Sequence, residues 1–137
     1  MNGSRILLID ANPEDQNLFK EIIRQLSRHC RVDTLMHGGY LSPYLDKCRR
    51  LPAFIIMEYN MQPGSALDVL QFMAKDERFR QTPIYIWSRS LAPETIQRCL
   101  QAGATEVMIK PTKASDLKII LRRLIATYTE SSETQSY

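Results

Sequence analysis

The sequence predicts an α/β fold in which a five-stranded parallel sheet is covered by helices on both faces. Three observations carry this expectation. Five short apolar runs alternate with five stretches of helical periodicity along 137 residues, and such alternation joins parallel strands by right-handed crossovers. The run Phe54 to Met57 is continuously apolar, as a strand buried on both faces must be. Polar residues close four of the runs, at Asp10, Glu58, Ser88 and Lys110. The length supports one core and is too short for two ordinary domains, so one domain over 1–128 and a polar tail over 129–137 are expected.

The elements follow in order. Ile6 to Ile9 is the first strand. Asn12 and Pro13 then supply an N-cap and a first-turn proline, with Glu14 and Asp15 suited to the positive end of the helix. Leu18, Ile22, Ile23 and Leu26 recur at helical spacing and mark its buried face. Arg31 to Leu35 is a weaker strand, and Gly38-Gly39 breaks the chain before a short helix around Leu41 to Cys48. Phe54 to Met57 is the third strand. The helix after it uses Leu67, Val69, Leu70 and Met73 and ends near Asp76.

Pro83 introduces the fourth strand, Ile84 to Trp87. Pro93 to Ala102 is the fourth helix, ended by Gly103, which can take positive φ without steric cost. Val107 to Ile109 is the fifth strand. Ser115 to Tyr128 is the fifth helix, with Leu117, Ile120, Leu121, Leu124 and Ile125 facing inward. Trp87 and the methionines are expected in the core, and His29 and His37 on the surface.

Composition excludes several classes. The net charge of +3 comes from 18 basic and 15 acidic residues that are interspersed, so direct nucleic-acid binding is not expected. Cys30, Cys48 and Cys99 are odd in number and lack metal-ligand or C-x-x-C spacing. They read as reduced thiols of a cytoplasmic protein. No apolar run is long enough to cross a membrane, and MNGSRILLID lacks the pattern of a secretory signal. A nucleotide- or flavin-binding module would need a Gly- or Ser/Thr-rich phosphate loop after the first strand, whereas ANPED is acidic.

In open parallel sheets, ligands sit beyond the carboxyl ends of the strands. Asp10, Glu58, Ser88 and Lys110 are therefore expected to meet at one edge. These residues, with RILLIDANPED, IIMEYNMQPGSALDVL and TPIYIWSRS…CLQAGATEVMIKPT, resemble the receiver domain of bacterial two-component response regulators. The resemblance runs from Arg5 to about Ala126. Its most specific part is A-G-A-x-x-x-x-x-K-P, whose Lys110 lies 22 residues after Ser88.

The resemblance implies a flavodoxin-like sheet of order 2-1-3-4-5. It also implies a non-enzymatic module that takes a phosphoryl group from a sensor histidine kinase onto an aspartate, helped by Mg²⁺. Glu58 occupies the phosphoacceptor position, and Ala11 replaces the second acid of the first loop while Asp10 matches the other. Ser88 matches the switch hydroxyl, and Val107 stands where the family usually carries a rotating aromatic. The metal set implied is Asp10, Glu58 and Asn60, weak or lost because Ala11 brings no carboxylate.

Mg²⁺ is usually held by one or two carboxylates with waters and substrate phosphate. One lost carboxylate removes on the order of 4 kcal/mol of attraction at about 4 Å and an effective dielectric near 20, before desolvation. The extra methylene of Glu58 moves its oxygens about 1 Å, an offset that can cost about a hundredfold in rate. The leading expectation is a pseudo-receiver that signals through protein partners, with Glu58 partly mimicking the charged state and Ser88 donating to it. Its expected contact surface is the face of helix four, strand five and helix five, carrying Arg89, Arg98, Gln101, Lys118 and Arg122, which would also serve a homodimer. The rival is a working phosphorelay receiver that binds Mg²⁺ and uses another acceptor, Asp15 or Ser88.

Overall fold

The computed structural model describes residues 3–129; of the tail expected over 129–137, all but Thr129 lies outside them. Strands β1 (Ser4–Ile9), β2 (Cys30–Leu35), β3 (Phe54–Glu58), β4 (Ile84–Ser88) and β5 (Glu106–Ile109) form one sheet. Every pair in it is parallel, in the order β2-β1-β3-β4-β5. Helices α1 (Pro13–Leu26), α2 (Leu41–Asp46), α3 (Ala66–Phe72), α4 (Pro93–Gln101) and α5 (Ala114–Tyr128) supply the crossovers. This is the doubly wound, flavodoxin-like three-layer sandwich that the strand–helix alternation predicts.

Side chains alternate across a strand, so each central strand feeds two cores. Ile6, Leu8, Phe54 and Ile56 pack with Phe19 and Ile23 of α1 and Leu121 and Leu124 of α5. Leu7, Ile9, Ile55 and Met57 pack with Leu41 of α2, Leu70 of α3 and Cys99 of α4. β1 from Ile6 and β3 up to Met57 are fully apolar and buried because helices cover both faces there. The register sets Ile9 beside Met57, Glu58 beside Trp87 and Ser88 beside Ile109. Strand ends are therefore level along one edge.

Local signals fix the helix starts. Asn12 accepts the backbone N–H groups of Glu14 and Asp15, and Pro13 opens α1. Ser65 and Asp68 make a reciprocal capping box at α3. Gly103 ends α4 at φ +116, a conformation closed to residues with a Cβ.

Four expectations are corrected. Leu18 is 39% exposed while Phe19 is buried, because the sheet-facing stripe of α1 runs Phe19, Ile22, Ile23 and Leu26. Asp76 does not end the helix before it; that helix stops at Phe72, and Asp76 caps a separate turn, Glu77–Arg80, by accepting from Arg78 and Phe79. Met36 lies on the surface at 60% exposure, unlike Met57, Met61 and Met73. His37 is half-buried: its Nε2 donates to the Pro63 carbonyl oxygen at 2.8 Å and its Nδ1 accepts from Gly39 N at 2.9 Å.

Gly103→Ala forces a Cβ into this positive-φ position and should lower the unfolding free energy by about 1–3 kcal/mol. Urea denaturation would show the midpoint falling without a change in slope.

Candidate functional site

The carboxyl edge of the sheet holds a cluster of four charged side chains. Asp10 follows β1, Glu58 ends β3, Lys110 follows β5, and Asp15 points in from the first turn of α1. Two backbone bonds continue the ladder past the strands, Asp10 N to Leu35 O at 3.0 Å and Lys110 N to Ser88 O at 2.8 Å. They fix where the acid and the ammonium leave the sheet.

Lys110 Nζ donates to Asp10 Oδ2 at 2.8 Å, Asp15 Oδ2 at 2.8 Å and Glu58 Oε1 at 3.0 Å. An ammonium has three protons, and each has a carboxylate. Lys110 and Asp10 are buried, Glu58 is nearly so, and the Asp15 side chain is 30% exposed. Burial pulls the Lys110 pKa down, but the hydrogen bonds to Asp10, Asp15 and Glu58 outweigh it and leave the pKa above that of an ordinary lysine. The ammonium also lies 6.0 Å from the ring centroid of Trp87, the chain's single tryptophan.

The remaining oxygens are mostly engaged. Asp10 Oδ1 accepts from Asn12 N at 2.9 Å, and Glu58 Oε2 accepts from Asn60 N at 3.2 Å. Asn60 Nδ2 then donates to Ser88 Oγ at 3.2 Å, and Ser88 Oγ donates to the Ser90 carbonyl oxygen at 3.4 Å. Ser88 thus reaches Glu58 through Asn60, and the expected direct bond between them is not formed among the described residues. Ala11 is exposed and contributes no side-chain oxygen. Val107 is half-buried on β5 and packs into the core beneath α4, away from the cluster.

Asp10, Glu58 and Lys110 converge as their strand-end positions predict. Asp15 completes the cluster; its place in the first turn of α1 suits the macrodipole, and it is also one of the two alternative acceptors that the rival expectation names. Its signal was its place five residues after Asp10, in the turn of α1 that overhangs the strand end.

One ammonium among three carboxylates leaves a formal excess of two negative charges, which draws cations. Geometry opposes this attraction. A Mg²⁺ ion needs about six oxygens at 2.0–2.1 Å, whereas three carboxylates here are turned onto Lys110. Among the described residues no group of three or more acidic, His or Cys side chains is arranged to hold a metal ion. The donor set as it stands does not fit Mg²⁺.

The family model described as the response regulator receiver domain matches residues 6–122. The chain belongs to this family. The two-component response regulator ARR7 of Arabidopsis thaliana is 27% identical over 141 residues, covering 96% of this chain and 68% of the relative. Among solved structures, the phosphorylated cyanobacterial phytochrome response regulator RcpA superposes with a TM-score of 0.81 at 19% identity, covering 92% of this receiver and 94% of that chain. The receiver domain of sensor histidine kinase PA1611 from Pseudomonas aeruginosa PAO1 gives a TM-score of 0.71 at 26% identity, over 90% of this chain and 98% of that one. That structure holds a magnesium ion in its active-site cleft. No helix of the described residues is long and apolar enough to cross a membrane.

Lys110→Met strands three carboxylates with no counter-charge and should cost about 3–5 kcal/mol near neutral pH, read by urea denaturation. The loss should shrink toward acid pH, where protonation relieves their repulsion. A raised lysine pKa also fixes an alkaline signature: the Lys110 contribution is complete below about pH 10.4, the unfolded value, and is lost as pH rises through the higher folded value. The wild type should therefore lose stability there more steeply than Lys110→Met.

Proposed function

We propose that this receiver signals through protein contacts without phosphorylation of an aspartate, with Glu58 standing at the phosphoacceptor position as a fixed negative charge. The observation that carries this reading is the Lys110–Glu58 pair at 3.0 Å. The pair supports the reading because a phosphoryl group accepted at this position would need both the carboxylate and the lysine, and here each already engages the other. Glu58 has one oxygen on the ammonium and the other on Asn60 N, so in-line attack from either oxygen competes with a bond it already makes. One carboxylate charge is also less than the roughly −2 of a phosphoryl group and offers two acceptor oxygens instead of three. The site resembles a permanently but partly charged state.

The partners are a sensor histidine kinase or another signalling protein, and the role is not enzymatic. The contact surface is the α4–β5–α5 face. Arg89, Arg98, Gln101 and Arg122 are exposed on it and Lys118 is half-buried; Ile109 and Ile119 are exposed at 71% and 63%. Apolar side chains among cations suit either a homodimer or a partner with an acidic rim. Mg²⁺ binds weakly in this reading, because Lys110 must release Asp10 and Glu58 before metal can enter.

A second reading keeps the phosphorelay and moves the acceptor. One observation favours Asp15 for it: its carboxylate is the most exposed of the three and only Oδ2 is bonded. Ser88 is 4% exposed with its hydroxyl engaged, which makes it the poorer acceptor.

Incubation with acetyl phosphate and Mg²⁺, followed by intact mass measurement, should show no phosphoryl adduct on the native chain. An adduct lost on Asp15→Asn would establish the second reading. The double substitution Glu58→Asp with Ala11→Asp restores the shorter acid and the second loop carboxylate, and should produce an acid-labile adduct.

Metal affinity gives an independent check. Trp87 fluorescence should change little and fail to saturate at millimolar Mg²⁺ in the native chain, and should saturate in the double variant.

A further inference from the structure

The opposite end of the sheet carries the opposite charge. A polar, half-open cleft of about 1400 Å³ lies where β1, β2 and β3 begin, and its walls include Arg5, Lys20, Arg31, Lys47, Arg49 and Arg50. The one carboxylate among its lining residues is Asp33. Six cations against one acid leave a local excess of five, so the rest of a chain whose net charge is +3 is net negative. The net positive charge of the chain is thus matched and exceeded by the excess in this cleft alone.

Stability does not account for the gathering. Arg5 and Arg31 face each other in the β1–β2 register, and like charges opposite one another on neighbouring strands are unfavourable. Asp33 relieves Arg5, at 3.1 Å from Nη1, and its other oxygen accepts from the Tyr44 hydroxyl at 2.6 Å. Burial, reinforced by that bond to Asp33, raises the Tyr44 pKa and keeps the phenol neutral. Among the described residues Lys20, Arg31, Lys47, Arg49 and Arg50 form no ion pair. Arg31, Lys47, Arg49 and Arg50 are exposed, so their forks and ammonium are available to an incoming anion.

The size and lining select the anion. The cleft exceeds the ~300–1000 Å³ of a small-ligand site, which favours an extended chain carrying several charges. Grooves for single-stranded nucleic acid add free aromatic faces on which bases stack. Here the Tyr44 ring is partly buried against the core, and the Tyr128 ring packs against Phe54 and Tyr85 with its hydroxyl bonded to Tyr85 at 2.7 Å. Guanidinium forks pair bidentately with carboxylates as well as with phosphates, so it is the lack of open stacking faces in this lining that favours the carboxylates of a peptide. We infer that this cleft binds an acidic peptide segment, a run of Asp and Glu residues on a partner protein. It stands apart from the carboxylate cluster and holds whether or not a phosphoryl group is accepted there.

The probe is a fluorescein-labelled octaglutamate titrated with the full chain and followed by anisotropy at low salt. Saturable binding is expected, weakened by about tenfold or more both by added salt and by R31E/R49E/R50E. The neutral variant R31Q/R49Q/R50Q should fall between the native chain and the reversal, and circular dichroism should show both variants folded. Absence of saturable binding would overturn the proposal, as would affinity indifferent to both sets of substitutions. A thymidine oligonucleotide of equal charge binding more tightly than the peptide would assign the cleft to nucleic acid instead.

Discussion

A single ammonium, that of Lys110, ties together three loops that lie far apart in the chain. Its carboxylate partners come from the loop after β1, the first turn of α1 and the end of β3, and the bond to Asp10 spans 100 residues. Two features of the fold make this convergence possible. The parallel register brings the strand ends level, and backbone bonds from Asp10 and Lys110 extend the ladder one residue beyond them. Desolvation of a lone ammonium at this depth would cost several kcal/mol; three carboxylates at 2.8–3.0 Å offset it. The arrangement is stable only as a whole, because removing the cation exposes each acid to the other two.

The same sheet separates charge along its length. The carboxyl ends of the strands hold an acidic cluster with a formal excess of two negative charges, and the amino ends open on a cleft with an excess of five positive ones. An overall charge of +3 conceals this polarity. Fields of this kind orient a partner during approach and raise association rates at low salt more than they raise affinity. A partner with an acidic segment would therefore meet this receiver by its base, leaving the α4–β5–α5 face open to a second contact.

Periodicity and position made most of the fold legible. Strands β1, β3 and β4 show as apolar runs because helices cover both of their faces, and each strand-ending polar residue shows because it interrupts such a run. That rule found Asp10, Glu58, Ser88 and Lys110. It could not assign Asp15 to the cluster, since a carboxylate in a first helical turn is equally well explained by the helix dipole. Leu18 and Phe19 were confused because adjacent apolar residues fit one helical stripe almost equally well, and only the sheet decides which points inward. The basic cleft was illegible for a different reason. Its six cations come from β1, α1, β2 and the segment between α2 and β3, and no single window of sequence holds all six together.

The bonds around Glu58 also limit how this receiver can change shape. A switch needs an element with two arrangements of similar energy, and a ligand that favours one of them. Here the carboxylate is tied to Lys110 and to Asn60 N, and Asn60 carries the connection to Ser88 on β4. Moving Ser88 toward the acid would break its bonds to Asn60 and the Ser90 carbonyl oxygen. Val107, half-buried in the core, has no ring to exchange between inward and outward positions. These bonds favour this one arrangement at the carboxyl edge. Within the reading proposed above, information is then carried by which surfaces are occupied, the cationic base and the α4–β5–α5 face, while the Glu58–Lys110 pair holds the scaffold that presents them.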